Sequence, residues 1–209
     1  MVGAWRALAD AALSEVAAAL APLSGQVTLL VGTERAARTL RARLPGSGGR
    51  ATFDLPGGRS LVVVESDITE MQVAAIVNAT NGSLHLGAGV SGAMKRRASP
   101  SLQAELYLLA GEAGIGAGEV VITGAHRLPH VSAILHANAV SGDPDVVETA
   151  TIGSLELAHR HGLESVALPL LGTGTGGLDV AVAARRMVAG VRRWAAASQG
   201  TPETLAFVA

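Results

Sequence analysis

Apolar positions along this chain alternate between two rhythms, short unbroken runs and stripes at helical spacing. Trp5, Leu8, Ala12, Leu13, Val16 and Leu20 form the first stripe, which predicts an amphipathic helix. "QVTLLVG" follows as a buried strand and "TERAARTLRARL" as a helix that is basic on one side. The turn-rich "PGSGGR" at 45 to 50 is the best candidate boundary. Then come the strand "SLVVVESDI", a turn or short helix at "TEMQV", and the strand "AAIVNAT". A glycine-rich loop leads into a helix through "SGAMKRRA", and Ser99 and Pro100 read as N-cap and first position of the next helix. "GEVVITGA" and "SAILHANAV" are strands; Asp143 and Pro144 start a helix that ends at Gly162, a C′ residue. "SVALPLL" runs into "GTGTGG" and the helix "LDVAVAARRMVAGVRRW", and "TLAFVA" reads as a last strand. Strands alternating with helices predict an α/β sandwich, helices covering both faces of a largely parallel or mixed sheet.

Composition narrows the function classes. The chain has 209 residues, enough for one good core and a small appendage. Its net charge of −1 gives no electrostatic footprint for a nucleic-acid backbone, and 2% aromatic residues offer no stacking platform for single strands. No cysteine is present, so disulfides, thiolate nucleophiles and cysteine metal sites are excluded. Arg6, Asp10 and Glu15 interrupt the apolar N-terminal stretch, so no membrane anchor is expected and the expected location is cytoplasmic. The histidines do not predict a metal site: His159 and His161 stand at i, i+2 near a helix end, which aims their rings apart. His136 ends a strand and reads as structural, and His85 as a loop-packing residue.

Candidate chemistry sits in the glycines. Gly87, Gly89 and Gly92 fit G-x-G-x-x-G, and Gly172, Gly174 and Gly177 fit it again. Glycine permits positive φ and removes Cβ, so successive N–H groups can converge on an anion, with a helix dipole behind them. A dinucleotide fingerprint needs a strand directly before the glycines and an acidic residue about 20 positions on. "NGSLHL" separates the first loop from its strand, and no acidic residue ends "TLAFVA" after the second. Neither loop continues as Gly-Lys-Ser/Thr, so a P-loop is excluded.

The ordered set "SDIT", "VNATN", "LGAGVSGAM", "GEVVITGAHRLP", "AILHANAV" and "ALPLLGTGTGG" resembles the ADP-ribose-binding macrodomain family over residues 58–209. The resemblance implies a three-layer α/β/α fold with a mixed central sheet, preceded by an N-terminal α-β-α extension at residues 1–50. It implies that Asp67, with the Ile68 backbone beside it, accepts the adenine amino group; the alternative is that Asp67 merely caps the turn with Thr69. Asn81 would contact the distal ribose and Asn78 would brace the loop. The diphosphate would lie between Gly87, Ala88, Gly89 and Val90 on one side and Gly172, Thr173, Gly174, Thr175 and Gly176 on the other, with hydroxyls of Thr173 and Thr175 as added donors. No cofactor or metal is implied, and the partner is ADP-ribose or an ADP-ribosylated protein.

This chain departs from the family pattern at two loop positions. One class of family hydrolases carries Asp in a G-V-D-G version of the first loop, where Ser91 stands here; many members carry an aromatic in the second loop, where Gly176 stands here. Some related subclasses use a covalent lysine, and Lys95 is the sole lysine of this chain. Two functions follow from the resemblance. One is an enzyme that hydrolyses ADP-ribose derivatives or removes ADP-ribose from an acceptor, with Asn81 as its catalytic residue. The other is a reader that binds ADP-ribose without turnover. A nucleotide-binding oxidoreductase-like or structural protein is the third class.

Overall fold

A computed structural model of the chain describes residues 50–55, 59–64, 67–198, 202 and 204–208. The expected N-terminal helix, strand and helix lie outside the described residues.

The fold opens with a hairpin, β1 (Arg50–Leu55) and β2 (Arg59–Val64). A single 3₁₀ turn at Ile68–Glu70 leads to β3 (Ala75–Thr80), then α1 (Gly89–Arg97) and α2 (Pro100–Ala110). Next come β4 (Val120–Gly124), β5 (Ala133–Asn138) and α3 (Pro144–Arg160). β6 (Ser165–Pro169), α4 (Val180–Ala197) and β7 (Thr204–Val208) close the described chain. The strands form one seven-stranded sheet in the order β1-β2-β7-β6-β3-β5-β4. Its inner strands run parallel, and β1 and β4 run antiparallel at the two edges. The sheet is therefore mixed, as expected, but β1 was not foreseen. Apart from Arg50, it falls in the interval 51–57 that the sequence assigned to neither unit.

Both faces of the sheet are apolar because both are covered. Ala75, Val77, Leu135, Leu168 and Phe207 point to the layer of α3 and α4, where Leu155, Met187 and Trp194 complete the core. Ile76, Ile134, Ala167 and Ala206 point to the layer of α1 and α2, against Met94, Leu102 and Leu106. The alternation along each strand is the period of two that a sheet imposes.

Charged groups fasten the α3/α4 layer. Glu148 of α3 is buried between Arg193 (2.7 Å) and Arg186 (3.1 Å) of α4. Its hydrogen bond from Arg193 outweighs the burial that works against it, so its carboxyl titrates below the usual value. Arg59 of β2 is buried with its guanidinium 4.7 Å above the Trp194 ring, donating to the carbonyls of Ala195 and Ser198 at the C-terminal end of α4. A cation there satisfies orphan carbonyls and opposes the negative end of the helix dipole.

Candidate functional site

Sheet topology decides whether the two glycine loops can share a cleft. β3 and β6 are neighbours and run parallel, so the chain leaves both at the same edge of the sheet. After β3 it enters α1 on one face; after β6 it enters α4 on the other. Such a reversal opens a crevice beyond the carboxyl ends of the strands. Register sharpens the point. β3 and β6 pair only at Ala75↔Val166 and Ile76↔Ala167. Two residues further on, Asn78 lies level with Pro169, which has no N–H to give. The ladder ends there, and the loops depart side by side. β2 is parallel to β7, so Asp67, just past β2, stands at the same edge.

The first loop is held rigidly up to Leu86 and left open beyond it. The Asn81 side-chain oxygen accepts from the Ser83 hydroxyl (2.8 Å) and the His85 amide (3.2 Å). Gln103 of α2 clamps the next turn, donating to the Leu84 carbonyl (3.2 Å) and accepting from the Leu86 amide (2.8 Å). That clamp sustains Leu84 at φ +54°, a conformation rare for a non-glycine residue. Beyond it, the amides of Gly87, Ala88, Gly89, Val90 and Ser91 have no partner among the described residues. α1 starts at Gly89 with Ala88 as its N-cap, which brings no capping side chain. Its first-turn donors and positive dipole end are therefore exposed.

The second loop differs in how its glycines are used. Gly172 has φ +80°, and a Cβ there would stand 2.8 Å from Val147; a Cβ on Gly176 would stand 2.6 Å from the Gly172 carbonyl oxygen. These two are required by the turn itself. A Cβ on Gly174 meets nothing within 4 Å, and the same holds at Gly87, neither of them at positive φ. Internal packing therefore does not explain Gly87 or Gly174, whereas a backbone that must be approached closely does. The amides of Thr173, Gly174, Thr175 and Gly176 have no partner among the described residues. Two expectations change here. The Thr173 hydroxyl donates to the Leu170 carbonyl (2.9 Å) and is already engaged. Asp179 caps α4, accepting from the Ala181 and Val182 amides, so only the first loop offers an uncapped helix end.

Asp67 does cap its turn: its Oδ1 accepts from the Thr69 amide (2.9 Å) and hydroxyl. Its Oδ2 faces the Arg97 guanidinium at 3.1 Å, which also binds Glu70. Partial burial works to raise the Asp67 pKa, but the two Thr69 bonds with the Arg97 and Arg96 charges outweigh it, and the carboxyl titrates below the usual value of 3.8. Asp67 is thus an ionised acceptor that caps its turn and pairs with Arg97.

Asn78 belongs to a buried hydrogen-bonded chain that the sequence did not reveal. Its side-chain oxygen accepts from the Ser91 hydroxyl (2.9 Å), and its amide nitrogen donates to His136 Nδ1 (3.1 Å). His136 Nε2–H then donates to the Thr123 hydroxyl (2.9 Å), which donates on to the Gly124 carbonyl. This order requires a neutral imidazole. Burial, with a smaller push from His126, lowers the His136 pKa from 6.5 to about 3. The chain crosses β4, β5 and β3 and ends on α1, so it fixes the helix whose N-terminus faces the cleft. Ser91 is buried with its hydroxyl turned to Asn78 and Ala79, away from the exposed amides.

The family model described as Macro domain matches residues 77–187. An O-acetyl-ADP-ribose deacetylase of Citrobacter rodentium is 35% identical over 153 residues, 70% of this chain and 85% of the relative. A protein of Mycobacterium tuberculosis is 35% identical over 162 residues; this chain spans less than half the length of that relative, 44%. The solved macrodomain of Oceanobacillus iheyensis with ADP superimposes with a TM-score of 0.69 at 25% identity, covering 76% of this chain and 86% of the other. A three-layer α/β/α fold, a crevice between loops following adjacent parallel strands, and a family match across both of them have one reading: the chain belongs to the macro domain family.

Proposed function

We propose that the crevice binds ADP-ribose. The observation that carries this reading is the pair of amide runs, 87–91 and 173–176, set on adjacent parallel strands and without partners among the described residues. A diphosphate held between them takes its hydrogen bonds from the backbone and its charge balance from the open end of α1, which suits a chain of net charge −1. Asp67 at one end accepts the adenine amino group. Asn81 at the other end has its side-chain oxygen occupied by Ser83 and His85, so it presents its NH₂ to the distal ribose. As part of the same proposal, the protein acts in the cytoplasm on ADP-ribose or ADP-ribosylated protein, with neither membrane nor nucleic acid as partner.

The reaction we propose is hydrolysis at the distal ribose; a relative is named for removing an acetyl group, an ester cleavage at an acyl carbon, and the step proposed for this chain is cleavage at the anomeric carbon. An amide donor cannot take a proton, so Asn81 positions a water and a ligand phosphate oxygen accepts its proton. The water oxygen bonds to the anomeric carbon, the bond to the acceptor breaks, and the acceptor leaves with the proton. Catalysis is then positioning and electrostatics. A non-catalytic reader is the second reading, favoured by Ser91 standing buried and turned inward in a first loop without a carboxylate. Incubation with ADP-ribosylated protein and detection of free ADP-ribose separates the two. The enzyme releases it, and Asn81→Ala slows release by at least about ten-fold. No release by the wild type establishes the reader.

A further inference from the structure

Beside Asn81 lies a cavity of about 400 Å³, walled by Gly82, Ser83, Tyr107, Glu112 and the rest of the Ala110–Gly114 turn. Its Ser83 wall touches Asn81 directly, hydroxyl to side-chain oxygen at 2.8 Å. Tyr107, one of its walls, is 51% exposed, and Leu108 at 85% and Leu109 at 44% follow it in the last turn of α2; these are the exposed large hydrophobic residues among the described ones. Large apolar side chains exposed at the end of one helix are available to a partner. One exposed wall residue is acidic. The last turn of α2 holds no basic residue, so its carbonyl end is unbalanced, and Glu112 just beyond has no partner among the described residues. The Tyr107 ring is held in place by His85, Nδ1 to hydroxyl at 2.8 Å with the rings stacked. An aromatic face, a carboxylate and a helix C-terminus together favour a cation.

We propose that this cavity is the acceptor subsite, taking a lysine or arginine side chain of a polypeptide whose ADP-ribose occupies the crevice. The inference rests on the ADP-ribose reading, because it needs the distal ribose at Asn81. The modified residue then leaves the crevice past Gly82 and Ser83, its backbone crosses the Leu108–Leu109 ridge, and a basic neighbour reaches Glu112. The wall is built tightly enough to hold this shape: Ile115 N–H donates to the Gly82 carbonyl at 2.8 Å, and Asn138 donates to the carbonyls of Ile115 and Gly116.

The experiment compares three probes by calorimetry: free ADP-ribose, and two synthetic peptides carrying ADP-ribose through a non-hydrolysable triazole link, one flanked by lysine and arginine, the other by glutamate. The basic peptide binds about five-fold or more tighter than the acidic one, and salt narrows the difference. Glu112→Gln removes that preference and leaves free ADP-ribose unchanged, and Leu108→Ser weakens both peptides alone. Equal affinities for both peptides, or a preference that survives Glu112→Gln, overturn the acceptor subsite while the ADP-ribose site stands. Failure of free ADP-ribose to bind overturns the site and the subsite together.

Discussion

Gly87 and Gly172 look alike in the sequence, and the structure separates them. Gly87 carries no positive φ and a Cβ there meets nothing, so Gly87→Val leaves folding intact, within about 0.5 kcal/mol, as surface substitutions do. The added side chain projects into the crevice, and ADP-ribose affinity falls at least about ten-fold. Gly172→Ala reverses the pattern: φ +80° and the Val147 contact lower stability by about 1–3 kcal/mol. Thermal melts and titrations of the two variants, side by side, check both halves. The sequence shows that glycines cluster; it does not show which of them serve the turn and which serve a ligand, because that depends on what each Cβ would face. The same limit applies to Asp67, whose cap on Thr69 was legible from their spacing while its pairing with Arg97 was not. Gln103 was missed because its partners, Leu84 and Leu86, lie 19 and 17 residues away and nothing local marks them.

The elements that matter most for the site are β4, β5 and β3, through the chain from Thr123 to His136 to Asn78 to Ser91. His136 titrates at about 3 when folded and 6.5 when unfolded. Between those values the unfolded chain binds the proton and the folded one does not. Stability therefore rises with pH across this window, and is lost as pH falls from 6.5 toward 3. His136→Gln removes this contribution, so its stability falls less steeply below pH 6.5 than that of the wild type. Parallel denaturation curves across that range contradict the account. Periodicity exposed β3, β5, β6 and β7 because their runs are continuous and apolar, and Asp143 and Gly162 marked the ends of α3 as expected. β1 went unseen: "RATFDL" follows a glycine-rich turn and mixes charge with apolar residues, and its strand character comes from pairing with β2. The capping of α4 by Arg59 was equally hidden, since Ser198 lies 139 residues away.

At the scale of the molecule, the family and its three layers were legible because the motifs fall in order along the chain. What could not be read was how the two loops meet. That follows from strand order, with β6 inserted beside β3 although β4 and β5 lie between them in sequence. The central claim is that one crevice closes two backbone runs around a diphosphate, with Asp67 choosing the base. Calorimetric titration with ADP-ribose, ADP and adenosine tests it most directly. The account predicts saturable one-to-one binding of ADP-ribose, weaker binding of ADP, and much weaker binding of adenosine, which offers nothing to the amides. No binding of ADP-ribose, or adenosine binding as tightly as ADP-ribose, would contradict it.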